Sequence, residues 1–155
     1  KCEFLGFTFY RGGTIRVTAS ALSDFKHRIR ILTGRSRGVS MKQRITELNR
    51  YIRGWMEYFK LSKYYVPIQE LDDWIRRCIR MCLWKQWRYA RRKITELVKL
   101  GAPLSLTIGA ALSSRSYWAA ARNSATQMGL TNQYIHTRLG LVSIRDIWIS
   151  FHYPS

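Results

Sequence analysis

The chain has 155 residues, of which 46% are hydrophobic, so it can bury the core of one ordinary domain or of two small ones. Its 27 lysines and arginines face only 9 acidic residues, and the net charge of +18 favours a polyanionic partner, with nucleic acid first and an anionic membrane surface second. No apolar run approaches the roughly 18 residues that a membrane-spanning helix needs, so no segment is predicted to cross a bilayer.

Residues 1–17 predict a β-hairpin. Aromatic and β-branched residues such as Phe7, Phe9 and Ile15 supply the strands, and the segment Arg11-Gly12-Gly13-Thr14 supplies the turn. The first residues lack the basic lead and apolar stretch of a signal peptide and look like a strand entered partway. We therefore expect the chain to be part of a longer protein.

Two helices are predicted next. The first begins near Ser20, a residue suited to an N-cap, and runs to about Thr33, where a basic loop at 34–38 follows. The second opens at the capping box formed by Ser40 and Gln43. Its apolar residues recur at helical spacing and define one buried face.

A third helix is predicted to begin near Gln69, after a break at Val66-Pro67, and to run to about Tyr89. Its helical pattern continues towards Leu100, and Gly101 is suited to the position just beyond a helix. These three helices predict a bundle at about residues 20–95.

The composition changes at Gly101, because most basic residues precede it and the remainder is rich in alanine and serine. Short helices are predicted near 105–113, 116–128, 131–138 and 143–150, with Gly129 and Gly140 as stops. The predicted fold is therefore mainly α. It comprises an N-terminal hairpin at 1–19, a helical domain at 20–100 and a smaller helical unit at 101–155.

No pattern of catalytic or metal-binding residues stands out. The three cysteines and three histidines lack the spacing of a zinc site, and cysteines of this kind indicate a reducing, cytosol-like compartment. Asp72 and Asp73 are interpreted as acids that complement the dipole at the start of a helix, in preference to a metal-binding pair. The Gly12-Gly13 turn lacks the Lys-Ser/Thr of a phosphate-binding loop. We expect neither a catalytic residue nor a metal site.

The positive charge is concentrated on helix faces that point away from the apolar stripes. These cations have few acids within reach, whereas a merely solvated helix surface, the alternative, usually mixes both signs. We therefore predict a phosphate-binding surface. Its residues are Arg35, Arg37, Lys42, Arg50, Arg53, Lys60, Arg76, Arg77, Arg80, Lys85, Arg88, Arg91 and Arg92.

The tryptophans divide into two predicted groups. Trp55 and Trp74 fall inside apolar stripes and are predicted to lie in the core. Trp84 and Trp87 lie nearer the basic edge, where they are either core residues or platforms on which bases stack.

Several motifs resemble one known family. The run from Leu48 to Phe59, LNRYIRGWMEYF, resembles the group II intron maturase signature L-N-x-x-I-R-G-W-x-x-Y-F. The segment 71–77 is similar to the helix that follows in that family, and 84–87 to its W-K-x-W element. The run 4–7 resembles the last reverse-transcriptase block before the thumb. Segments 116–118 and 139–144 resemble elements of the C-terminal DNA-binding region, although Ser116 stands where the family commonly has glycine.

The resemblance implies a piece of a group II intron reverse transcriptase that contains the end of the palm, the thumb or maturase domain and the DNA-binding region. Such a protein binds its intron RNA to promote splicing, and its thumb clasps the RNA/DNA template–primer. Its C-terminal part contacts target DNA, which here implies the residues Arg115, Tyr117, Trp118 and Arg122.

The catalytic Tyr-x-Asp-Asp motif is absent from this stretch. The resemblance therefore implies that polymerase activity and its Mg²⁺ belong to the remainder of the reverse transcriptase, and we expect no enzyme activity from these residues. The expected location is the bacterial cytoplasm or nucleoid, or an organelle matrix.

Two other classes of protein fit the composition less well. A DNA-binding regulator of the helix-turn-helix type needs a short recognition helix after a tight turn, and the long third helix argues against it. A membrane-surface protein would keep its apolar stripes exposed, whereas three such helices can bury theirs against one another.

Overall fold

A computed structural model describes residues 1–155 and confirms a mainly α fold that begins with a small sheet. The sheet has three antiparallel strands in the order β1-β2-β3: β1 (Cys2–Phe4), β2 (Phe7–Phe9) and β3 (Ile15–Val17). The predicted hairpin is confirmed in β2 and β3, which flank the turn at 11–14, and β1 adds a strand that was not predicted. A second tight turn occurs at Leu5-Gly6, where φ is +48° and +80°, the backbone of a two-residue hairpin.

The first two helices follow their capping residues. Helix α1 (Ala19–Leu32) begins slightly before the predicted cap, because the Thr18 hydroxyl accepts from the backbone N–H of Ala21. Helix α2 (Met41–Phe59) begins as predicted, with the Ser40 hydroxyl accepting from the N–H of Gln43. Between them lies the basic loop at 34–38.

Helix α3 (Val66–Gln86) differs from its prediction at both ends. Pro67 lies in its first turn, where no backbone N–H is needed, so it starts the helix instead of interrupting the chain before it. At the other end α3 stops at Gln86, and helix α4 (Ala90–Lys99) follows as a separate helix. The expected continuation to Leu100 was wrong, since the chain turns at 87–89 around the buried ring of Trp87. Gly101, with φ of +99°, ends α4 as predicted.

The C-terminal segment consists of short helices. They are α5 (Leu104–Ala111), α6 (Tyr117–Ala120), α7 (Ser124–Gly129), a π-helix (Tyr134–Arg138) and α8 (Ile144–His152). Where one helix was predicted at 116–128, Asn123 caps the start of α7 and separates it from α6. Helices α6 and α8 pack against α3, whereas α5 and α7 pack against α4. No helix in the structure is long and apolar enough to span a bilayer.

The core is continuous across the change in composition at Gly101. One cluster of buried side chains extends from Phe25 in α1 through Leu48 and Ile75 to Trp148 in α8. Helix α3 lies at its centre, because its buried residues join the cluster that includes α1 and α2 while α6 and α8 pack against it.

The positions of the tryptophans agree with the prediction in part. Trp84 and Trp87 are 3% and 5% exposed and lie within the core, so they are not free platforms for bases. Trp55 and Trp74 are only half-buried and pack on the edge of the core. Periodicity identified the apolar stripe but not the second covered face of α3.

We expect Trp84→Ala to lower the free energy of unfolding by about 3–5 kcal/mol, because it leaves a cavity where α3 meets the core. Trp74→Ala should cost less than half as much, since part of that ring already contacts solvent. Chemical denaturation of both variants and the parent protein measures the difference. Equal losses would contradict this assignment of the core.

Candidate nucleic-acid interface

Asp72 binds the start of helix α8. Its carboxylate accepts hydrogen bonds from the Ser143 hydroxyl (2.8 Å) and from the backbone N–H groups of Ile144 (2.9 Å) and Arg145 (2.8 Å). A buried carboxylate in this position satisfies N–H groups that have no partner within the helix and complements the helix dipole. The interpretation of Asp72 as part of the first turn of α3 was therefore wrong: it caps a different helix.

Asn49, the second residue of the signature run 48–59, contacts the same segment. Its side-chain amide donates to the carbonyl of Gly140 (2.8 Å), and its amide oxygen accepts from the N–H of Val142 (2.9 Å). On the other side of this loop, a ring nitrogen of His136 lies 2.8 Å from the carbonyl oxygen of Leu141. Asn49 thus connects α2 to the loop that precedes α8.

Arg80 belongs to the interior of the molecule. Its guanidinium donates to the carbonyl of Leu130 (2.8 Å) and to the side-chain oxygen of Asn132 (2.8 Å), and the residue is 6% exposed. Burial, together with the nearby charge of Arg76, lowers the pKa of Arg80 to about 10. The expectation that Arg80 lies on an open phosphate-binding face was wrong, because the C-terminal segment covers it.

Arg76 and Arg77 face the same covering segment. Arg76 pairs with Asp73 and lies 3.2 Å from the Nε2 atom of His136. Arg77 donates two hydrogen bonds to the backbone carbonyl of Trp118, at 2.9 and 3.2 Å. Its guanidinium also lies 3.7 Å from the centre of the Trp118 indole ring. Helical projection correctly separates these arginines from the first apolar stripe, but both are half-buried against the C-terminal segment.

The other predicted phosphate-binding residues differ in whether their side chains already have a partner within the protein. Three have partners on the protein: Arg37 pairs with Glu47 at 2.6 Å, Lys60 with Glu57 at 3.2 Å, and Lys85 donates to the Ser36 hydroxyl at 3.1 Å. The remaining seven are exposed and form no ion pair with an acid: Arg35, Lys42, Arg50, Arg53, Arg88, Arg91 and Arg92.

Cations and aromatic rings meet in a cleft between α1, α3 and α6. It has a volume of about 450 Å³, and its lining includes Arg30, Arg35, Trp74 and Trp118. The guanidinium of Arg30 lies 5.3 Å from the centre of the Trp74 ring, within the range of a cation–π interaction. We call it the α1–α3–α6 cleft. Arg30 was not predicted from the sequence, because the basic faces were sought on the second and third helices and Arg30 lies on the first.

Arg35, which was predicted to bind RNA, and Trp118, which was predicted to bind DNA, both line this cleft. The guanidinium of Arg35 lies 5.3 Å from the centre of the Tyr117 ring, and the ammonium of Lys93 lies 5.9 Å from the same ring. The remaining predicted DNA-binding residues, Arg115 and Arg122, are exposed. Arg122 lines a separate cleft beside Arg77.

A second open groove lies between α1 and α2. Its volume is about 590 Å³, and three arginines, one glutamate and the signature residues Tyr51, Gly54 and Trp55 are among its lining residues. The arginines are Arg28, Arg37 and Arg50. We call this the α1–α2 groove. Arg28, like Arg30, was not predicted from the sequence.

The fold and these surfaces define a strongly basic helical domain whose exposed cations lie beside aromatic rings, an arrangement typical of nucleic-acid-binding proteins. Residues 22–100, about half of the chain, match the family model described as the group II intron, maturase-specific domain. The chain belongs to this family, which confirms the resemblance seen in the signature run. Membership gives it a maturase-related role in intron splicing and implies intron RNA as a partner. No match to the chain was found among curated proteins.

We expect Asp72→Ala to lower the free energy of unfolding by about 2–4 kcal/mol, because it removes a charged acceptor from three buried or part-buried donors. Glu70→Ala is the control on the same helix: that side chain is exposed and forms no ion pair, so its removal should change stability by no more than about 0.5 kcal/mol. Urea titrations provide the comparison. Similar effects of both substitutions would show that Asp72 does not hold α8.

We expect only one of the three thiols to react rapidly with a thiol reagent at neutral pH. Burial raises the pKa of Cys78 to about 12 and also raises the pKa of Cys82, so both remain protonated as well as shielded. Cys2 is exposed. The absorbance of the reacted thiol reagent gives the number of labelled thiols per protein molecule. We expect one thiol to react rapidly in the native protein and three in denaturant. Three fast thiols without denaturant would be inconsistent with this packing.

Proposed function

We propose that this domain binds structured intron RNA mainly by neutralising phosphates with the seven exposed, acid-free cations named above. The observation that carries the proposal is the shortage of internal partners: the structure contains only four ion pairs, although the chain has 27 basic residues. Like charges held close together repel one another, and a polyanion relieves that repulsion. Phosphate contacts of this kind position the RNA without reading its sequence.

We further propose that the α1–α3–α6 cleft extends the interface towards DNA. Arg35 precedes α2, whereas Tyr117 belongs to the C-terminal segment, yet their side chains are in contact range. A template–primer duplex or target DNA that reaches Tyr117 would therefore meet cations of the maturase domain as well. Aromatic rings next to cations can stack on bases while the cations hold phosphates.

This domain is proposed to supply binding and not chemistry. Mg²⁺ prefers several oxygen ligands brought together, but no group of three or more histidine, cysteine or acidic side chains is close enough to hold a metal ion. Asp72 already uses its carboxylate oxygens on α8. These residues do not fit a polymerase metal site, and we assign polymerase activity to other parts of the protein.

The test of RNA binding compares two triple variants of equal charge change. The first, the α4 variant, carries Arg88→Gln, Arg91→Gln and Arg92→Gln at and just before the start of α4. It should bind a structured intron RNA more weakly, and the dependence of log K on log salt should fall by about 0.7–0.9 for each phosphate that is no longer neutralised. The melting temperature should stay nearly unchanged, since all three side chains are exposed. Affinity is measured by fluorescence anisotropy over a range of salt concentrations.

The control variant carries Arg11→Gln, Arg138→Gln and Arg145→Gln, three exposed arginines outside the proposed surface. It should retain affinity much closer to that of the parent protein. If its affinity falls as much as that of the α4 variant, net charge alone governs binding and the proposed surface is wrong. Competition with duplex DNA and with anionic vesicles distinguishes the maturase function from a DNA-binding regulator and a membrane-surface protein.

A further inference from the structure

Gly54 lies in the interior of α2 and lines the α1–α2 groove. Glycine is a poor helix former because its backbone loses the most freedom on folding, so a glycine here weakens the helix relative to alanine. An internal reason for glycine is easy to recognise elsewhere in the chain. At Gly6 a Cβ atom would lie 3.1 Å from the ring of Phe59, and at Gly129 it would lie 2.8 Å from a methyl group of Leu97.

No such reason applies to Gly54. A Cβ atom built there would have no neighbour within 4 Å, and the backbone lies in the ordinary helical region. Neither packing nor strain within the protein requires glycine, and the residue is exposed. Because glycine has no side chain, the backbone of α2 is accessible at this residue, and another molecule in the groove can approach it closely.

The surroundings of Gly54 indicate the chemistry of that molecule. Arg50 lies one helical turn before it, and Arg28 lines the groove from α1. Neither arginine pairs with an acid, whereas Arg37, at the same groove, is held by Glu47. Two free guanidinium groups therefore remain for an anionic ligand.

The aromatic residues of the groove are held in place from below. The rings of Tyr51 and Trp55 pack on Phe25, with centroids 5.6 and 4.2 Å apart, and Phe25 is fully buried. Half-buried rings supported in this way offer fixed apolar edges to a sugar or a base. The groove thus combines free cations, rigid rings and a gap in the helix surface.

We propose, on the basis of the RNA-binding function proposed above, that the α1–α2 groove seats one strand of RNA backbone directly over Gly54, with phosphates held by Arg28 and Arg50. An acidic peptide fits these observations less well. Its carboxylates stand out on side chains and can reach both arginines without its main chain approaching the helix, so it would not need glycine at residue 54.

The test uses a second helical glycine as a matched control. Gly109 in α5 is also exposed and would also leave a Cβ atom without a neighbour within 4 Å, but it lies among apolar residues outside the groove. Gly54→Ala and Gly109→Ala should each raise the melting temperature by about 2–4 °C, because alanine favours the helix. Only Gly54→Ala should weaken binding of a structured RNA hairpin with single-stranded flanks, by about five- to tenfold.

A double-mutant cycle locates the effect in the groove. Arg50→Gln should weaken hairpin binding strongly in the parent protein and clearly less in the Gly54→Ala background, because the displaced strand no longer reaches the guanidinium. Additive effects of the two substitutions would overturn the proposed arrangement.

The remaining outcomes separate this proposal from the one on which it rests. If Gly54→Ala binds the hairpin like the parent protein while the α4 variant binds it more weakly, the groove proposal fails and the RNA-binding surface stands. If neither variant changes affinity, both fail. A lower melting temperature for Gly54→Ala would show that glycine is required by the fold, which also overturns the inference. Poly-glutamate is the second probe: if Gly54→Ala weakens its binding as much as that of the hairpin, the groove is assigned to acidic peptides.

Discussion

The architecture depends on how α3 is buried. Helix α3 is exposed at Glu70 and Asp73, but its Asp72 and Arg80 are only 3% and 6% exposed and lie under the C-terminal segment. An unpaired charge in such a position is strongly destabilising. The structure meets this constraint because the C-terminal segment presents free backbone groups at the right places. The start of α8 donates to Asp72, and the carbonyl of Leu130 accepts from Arg80. The buried charges of α3 and the unpaired backbone groups of the C-terminal segment thus satisfy each other's hydrogen bonds.

These hydrogen bonds assign a structural role to several residues of the family motifs. Asn49, Asp72, Arg76 and Arg77 lie in motifs that identify a maturase, and four charged or amide groups in such motifs invite assignment to RNA. Each of them instead contacts the C-terminal segment through a hydrogen bond. The cations left over for a polyanion lie elsewhere, on the outer side of α2, in the loop at 34–38 and at the start of α4. The family motifs of this domain therefore contain two kinds of residue. Some join two parts of the chain by hydrogen bonds, and others, such as Arg50, are exposed to solvent.

The sequence predicts where helices begin and end better than it predicts which faces of a helix are covered by other helices. Ser40 marks the start of α2 through its hydroxyl group and Gly101 the end of α4 through its positive φ, and both were identified correctly. The short turn at Leu5-Gly6 was missed because it places a leucine at positive φ, which its side chain does not favour. The burial of Arg80 and Trp84 was missed for a different reason. Periodicity shows that a helix has an apolar stripe, but only the tertiary arrangement shows that α6 and α8 cover the opposite face. Of the candidate surface, the exposed cations of α2 and α4 were predicted, whereas Arg28 and Arg30 were not.

The same packing bears on how RNA and DNA contacts are divided along the chain. A boundary at Gly101 follows composition, but the core passes through it, and α6 rests on α3 through the double hydrogen bond from Arg77 to Trp118. Because Arg35 also reaches the ring of Tyr117, a polyanion bound at one of these residues contacts both sides of the boundary. Residues of both segments also line the α1–α3–α6 cleft, so the two segments form one continuous surface there. Nucleic acid bound at that cleft, as proposed above, would contact both segments.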